Sequence, residues 1–147
     1  MAPTFEENDF IIVDKITPRF NPRKRWDVIV FVPPGKTIPY IKRVIWLPGE
    51  TVVIEEGVVS ICQQDQCELL EEYYLPEGVQ TRARCWRTSF PIDQEWLFVL
   101  GDNRWFSTDS ACCFGLGCYD GANYLVPYDH IIGKVYVRLF PIFSTYY

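Results

Sequence analysis

The 147-residue chain has one histidine, no apolar run long enough to cross a bilayer, no continuous basic stretch and almost no helix signal. Each shortage excludes something. His130 is distant in sequence from the six cysteines, at 62, 67, 85, 112, 113 and 118, and no two cysteines have C-x-x-C spacing. The ligand set of a structural zinc site is therefore missing, and neither metal nor cofactor is expected. No segment reaches the roughly 18 to 20 apolar residues of a membrane-spanning helix, and there is no charged n-region followed by an apolar h-region. With a net charge of −5, the basic run from Arg19 to Arg25 is too short to make a phosphate-binding footprint. That run reads as a solvated loop, and no nucleic acid is expected as a partner. No repeat, low-complexity tract or composition shift divides the chain, so residues 1–147 are expected to form one domain with room for a core.

Strand signals fill the space that helices leave. Residues 10–14, 28–32, 40–45, 51–54, 58–61, 96–100 and 134–140 are short, rich in β-branched and aromatic side chains, and bounded by Pro, Gly or Asp. Glu56-Gly57 reads as a tight hairpin turn and Leu47-Pro48-Gly49-Glu50 as another. Eleven prolines and nine glycines punctuate the rest, which predicts an all-β domain of small antiparallel sheets. Aromatic dipeptides such as Trp105-Phe106 and Tyr146-Tyr147 are hard to bury entirely and suit either a core edge or a membrane surface. Cys62 and Cys67 flank Gln-Gln-Asp-Gln and can close a hairpin as a disulfide, which favours an oxidising, extracytoplasmic compartment. The pairing of Cys85, Cys112, Cys113 and Cys118 is open, although adjacent Cys112 and Cys113 should go to different partners.

Lys42 stands out within Tyr40-Ile41-Lys42-Arg43-Val44-Ile45. Alternation places it opposite Ile41 and Arg43 and level with Tyr40 and Val44, on what should be the buried face of a half-buried strand. Burial disfavours the ammonium form and turns a passive cation into a general base near neutral pH. A lysine base also needs a hydroxyl nucleophile within reach and a group that aims its amine.

Four segments occur in an order that resembles the conserved boxes of type I signal peptidases: residues 1–5, residues 27–31, residues 40–50, and Gly101-Asp102-Asn103-Arg104-Trp105-Phe106-Ser107-Thr108-Asp109-Ser110. Val126-Pro127 and residues 131–134 also match, so the resemblance covers nearly the whole chain. It implies the signal-peptidase-like β fold, a Ser-Lys dyad, and removal of signal peptides from exported preproteins after Ala-x-Ala-like sites. Lys42 would be the general base and Ser107 the serine that hydrogen-bonds it. Asp102 and Arg43 would form a bracing ion pair, and Asp109 a supporting carboxylate. Met1, Phe5, Ile11, Val30, Tyr40 and Ile41 would line the pockets for an extended substrate lying along a strand edge.

The family's first box reads Ser-Met-x-Pro-Thr, which puts the nucleophile serine immediately before Met1. The chain is thus expected to be a form shortened of its serine and N-terminal membrane anchor, inactive as it stands. The family arginine two positions after Asp109 is Ala111 here, leaving backbone amides or Arg104 as its donors and a disulfide from Cys112 or Cys113 as a replacement brace. Asn8, Trp26 and Trp46 stand at family glycines; the two tryptophans imply extra packing or an apolar rim that meets lipid. About ten extra residues, 116–125, should form a disulfide-tied loop.

The expected protein is therefore the catalytic domain of a signal peptidase on the extracytoplasmic face of the membrane, with signal peptides and the membrane surface as partners. An inactive homologue that binds signal peptides or a partner protein through the same groove is the alternative. An autoproteolytic repressor shares the fold and dyad, but nothing resembles a DNA-binding helix pair.

Overall fold

Each β-rich run marked in the sequence forms strand in the computed structural model, which describes residues 1–16, 24–64, 66–83, 86–92, 96–119 and 121–139. Most of the basic run from Arg19, together with Cys85, Phe140 and the Tyr146-Tyr147 pair, lies outside the described residues. The strands are β1 (Phe10–Asp14), β2 (Val28–Phe31), β3 (Tyr40–Val44), β4 (Thr51–Glu55), β5 (Val58–Gln63), β6 (Gln66–Leu69), β7 (Ser89–Pro91), β8 (Trp96–Leu97), β9 (Val99–Leu100), β10 (Val126–Pro127) and β11 (Ile131–Leu139). Only two short 3-10 turns, Ser110–Gly115 and Tyr128–His130, interrupt them among the described residues. All strand pairs are antiparallel, in a five-stranded sheet ordered β1-β11-β2-β3-β9, a four-stranded sheet ordered β6-β5-β4-β7 and a β10-β8 ribbon.

Three departures from the sequence reading have local causes. The run 96–100 splits into β8 and β9 because its halves pair in different sheets, and the peptide of buried Phe98 between them accepts from Ile45 N at 3.1 Å. Strand β6 carries no apolar alternation and is exposed throughout; pairing with β5 and the Cys62–Cys67 disulfide hold it in register. Strand β11 starts three residues early because Ile131 already pairs with Phe31.

The Glu56-Gly57 turn has positive φ at both residues, 50° and 86°, which matches the right-handed twist of the β4–β5 hairpin it connects. Strand β11 is shared between β1 and β2 and shifts register against both. Gly133 sits at the second shift, and a side chain there would meet the Asp14 carbonyl oxygen at 2.4 Å. A glycine at this bulge lets the three strands close up.

Two apolar clusters result. One gathers Ile45, Trp46, Val52, Ile54, Val59, Phe90, Phe98 and Leu100; the other joins Ile29, Phe31, Val44, Leu97, Val99, Phe114 and Val126. Trp46 is fully buried in the first, and Trp26 packs edge-on against Tyr74 at 5.2 Å. Of the two roles expected for these tryptophans, the structure builds packing and not a lipid-facing rim. Trp26 holds φ of 76°, a backbone region bulky residues rarely adopt, with its N–H donating to Val44 O at 2.8 Å.

Candidate active site

Strand register decides what Lys42 faces. It pairs with Ile29, while Arg43 pairs with Val28 and Leu100, so Lys42 points toward the cluster of Ile29 and Phe31 and Arg43 toward the opposite side. The sequence reading, which put Lys42 on the buried face and Arg43 on the open one, needs correction at this end, because Arg43 is buried and Lys42 only half-buried. Two faces are covered since Tyr74, from the segment after β6, lies under the Arg43 guanidinium with its ring centre 3.9 Å away. Burial is the chief cause that pushes the Lys42 ammonium down from its ordinary range; Asp109, then Cys112 and Asp102, push it partly back. Burial thus works against the charge on this amine while nearby negative groups favour it.

Gly101 is the floor of the site. A Cβ placed on it would lie 2.1 Å from Ser107 Oγ and 3.3 Å from Lys42 Nζ, so the hydroxyl and the amine flank one point that only glycine leaves open. The Ser107 hydroxyl is buried and makes no hydrogen bond among the described residues. The hydrogen bond expected between Ser107 and Lys42 is therefore not formed here, although the two groups converge on the same glycine.

Asp109 accepts from Gly101 N at 2.9 Å and from Ala111 N at 3.1 Å. Backbone amides, and not Arg104, thus serve it in place of an arginine at 111. It also caps the Ser110–Gly115 turn, with Cys112 as reciprocal partner: Asp109 N donates to Cys112 Sγ at 3.3 Å. Cys113 and Phe114 continue this turn with φ of 49° and 53°, and Cys113 is bonded to Cys118, tying the base of the extra loop. Trp86 Nε1 donates to Cys118 O at 2.6 Å and fastens that loop to the body. Cys62 and Cys67 pair directly across β5 and β6 in the other disulfide, away from these groups.

Asp102 takes a two-pronged bond from Arg43, Nε at 2.9 Å and Nη2 at 2.7 Å, with both side chains out of solvent. Asp102 also accepts from Thr4 Oγ1, a contact the sequence reading missed. Arg138 of β11 donates to Thr4 O at 2.6 Å and pairs with Asp9 at 2.7 Å. The segment from Met1 to Phe5 is thereby pinned from two sides. Its first nitrogen lies within electrostatic reach of Lys42 and Asp102.

The six pocket residues are all half-buried, neither core nor open surface. Val30 and Ile41 are cross-strand partners on the Arg43 face, whereas Tyr40 shares the Lys42 face, with the Lys42 amine 5.7 Å from its ring centre. Tyr40 and Ile41 thus lie on opposite faces of β3, and Ile11 sits on β1, separated from β3 by β11 and β2. Beside Ser107, Trp105 is 50% exposed and Phe106 85% exposed. No helix among the described residues is long and apolar enough to cross a membrane.

The sequence pattern of the family described as "Signal peptidase, peptidase S26" matches residues 1–140. Signal peptidase I of Leptolyngbya laminosa is 40% identical, aligning 97% of this chain with 65% of that protein. Probable signal peptidase I-1 of Synechocystis sp. is 38% identical, over 96% of this chain and 67% of that protein. The chain spans about two thirds of the length of these relatives. The crystal structure of a signal peptidase I from Enterococcus faecalis superposes with a TM-score of 0.56 at 28% identity, covering 78% of this chain and 97% of that one.

Proposed function

The chain belongs to the peptidase S26 signal peptidase family, and on that basis we propose that it is the catalytic domain of a serine endopeptidase that removes signal peptides from exported preproteins. The observation that carries this reading is the approach of half-buried Lys42 and buried Ser107 to one point on Gly101, with the Met1 nitrogen within electrostatic reach of Lys42. The nucleophile is the serine hydroxyl of the residue that precedes Met1 in the full-length protein. Neutral Lys42 takes the proton of that hydroxyl as its oxygen attacks the scissile carbonyl. The resulting ammonium gives the proton to the leaving amine, and a second cycle with water releases the acyl group.

Ser107 orients the lysine amine once substrate and nucleophile complete the site. Asp102, Arg43 and Asp109 hold the loops that carry these groups. Met1, Phe5, Ile11, Val30, Tyr40 and Ile41 form shallow apolar pockets that accept small side chains, and cleavage follows Ala-x-Ala-like sequences. The protein acts on the extracytoplasmic face of the membrane, anchored by an N-terminal span, with Trp105 and Phe106 exposed beside the site and suited to the lipid interface. The experiment uses the chain with its native upstream sequence and an Ala-x-Ala preprotein peptide. Cleavage is expected with serine before Met1, and Lys42→Ala should lower it about a thousandfold with melting retained. Lys42→Ala at full activity overturns the base assignment. A residue without a hydroxyl or thiol before Met1 turns the reading to an inactive peptide-binding homologue.

A further inference from the structure

We propose that Glu72, which lies outside every motif of the site, is a positioning residue for it: through Arg104 it fixes the Gly101 peptide against which Lys42 and Ser107 are set. Arg104 is buried, and all five of its N–H groups are committed. Nε donates to Gly101 O at 3.1 Å, Nη1 to Glu72 Oε2 at 2.7 Å and to Thr81 Oγ1, and Nη2 to Glu72 Oε1 and to Tyr74 Oη at 2.9 Å. The carboxylate is matched face to face with the guanidinium, the geometry that fixes both partners most firmly.

Gly101 is thus gripped at both ends of its polar backbone, by Asp109 at its N–H and by Arg104 at its C=O. The grip matters because Gly101 separates Ser107 Oγ from Lys42 Nζ by the space of a missing methyl. The same cluster reaches the other brace, since Tyr74, whose hydroxyl accepts from Arg104, also lays its ring under Arg43, the partner of Asp102. Glu72, Tyr74 and Thr81 all come from the segment between β6 and β7, so this segment buttresses the catalytic loop from behind.

Without the Glu72 charge, the buried guanidinium is left uncompensated, and Asp109 is another anion whose field it feels. Arg104 then turns toward Asp109. That takes from Lys42 the first of the negative groups that support its ammonium, and it loosens the Gly101 carbonyl. The groups facing Lys42 are Asp109, Cys112, Asp102 and the Tyr40 ring, so the loss of one is readable in its titration.

The inference rests on the reading of Lys42 as base, and the test separates the two. In the full-length protein, Glu72→Gln is compared with Glu72→Asp and with Glu71→Gln, an exposed neighbour, as control. Lys42 is titrated by NMR of the reductively ¹³C-methylated protein, and kcat and KM are measured on a signal-peptide substrate. Glu72→Gln is expected to lower the Lys42 midpoint by at least about half a pH unit and kcat about tenfold, with KM within about twofold. Glu72→Asp should recover most of both, and Glu71→Gln should match the parent. A folded Glu72→Gln protein with an unmoved Lys42 midpoint overturns the proposal. If Glu72→Gln does not fold, Tyr74→Phe removes one Arg104 acceptor and leaves the ring; an unmoved midpoint there overturns it equally. A parent protein that cleaves nothing defeats the peptidase reading, while the titration still decides the positioning.

Discussion

Gly101→Ala is the smallest change that should disable this site, and its cost can be worked out from the surroundings of one carbon atom. The new methyl would sit 2.1 Å from Ser107 Oγ, 2.7 Å from Ser107 Cβ and 3.3 Å from Lys42 Nζ. Gly101 is not among the glycines of positive φ, so the requirement is for space and not for an unusual torsion. Overpacking a tight site costs about 1–3 kcal/mol, and a 2.1 Å approach belongs at the upper end, about 3 kcal/mol. Alanine returns about 0.5–1 kcal/mol by restricting the unfolded chain, leaving a net loss of about 2 kcal/mol. At this chain length that lowers Tm by roughly 6 to 8 °C. Because both short contacts are to Ser107, Ser107→Gly removes them together, and Gly101→Ala on that background should keep only the gain of about 0.5–1 kcal/mol. A double-mutant cycle by urea denaturation then gives a coupling of about 3 kcal/mol. A cost of Gly101→Ala that is negligible, or equal on the two backgrounds, would refute the argument that these two residues compete for one space.

Lys42→Met should make the protein more stable at neutral pH and flatten its stability against pH. With the folded pKa pushed down, the unfolded chain holds more protons between that value and about 10.5, so parental stability rises with pH across that window. A Lys42→Met protein that keeps the parental slope contradicts burial as the cause. Asp102→Asn breaks a fully buried pair with Arg43 and should cost about 3–5 kcal/mol, with part recovered in Asp102→Asn/Arg43→Met; unchanged denaturation midpoints would show the pair to be dispensable. Each disulfide closes a loop of cysteines five positions apart, for which loop-closure entropy gives about 2 kcal/mol. Loss of Cys62–Cys67 should lower Tm alone, whereas loss of Cys113–Cys118, next to Asp109 and Cys112, should also lower activity; six free thiols in non-reducing mass spectrometry would defeat both pairings.

Local chemistry explains which parts were legible in the sequence. Strands rich in β-branched residues announce themselves, as does the Glu56-Gly57 turn, since both signals are contained within a few residues. Strand β6 does not, because its order comes from a neighbour and a disulfide. The face of Lys42 followed from alternation, but the burial of Arg43 depends on Tyr74, thirty-one positions away, and periodicity carries no news of it. For the same reason Glu72 went unmarked: its partner Arg104 is thirty-two positions on. Thr4 lay in plain sight within the first motif, but its bond to Asp102 crosses ninety-eight positions.

Strand β11, late in the sequence, pairs with β1 near its start, and this sets an order of events. Among the described strands, β1 finds its only partner in residues 134–139, and the Thr4 carbonyl is held by Arg138. On a ribosome, every motif up to Ser110 is made before the strand that seats the first of them exists. The segment that holds Thr4 therefore stays undocked until residues 134–139 have been made. Folding dominated by so long-range a closure is slow, and it is cooperative. An emerging chain of this kind carries Lys42 early and docks the Thr4 segment only late.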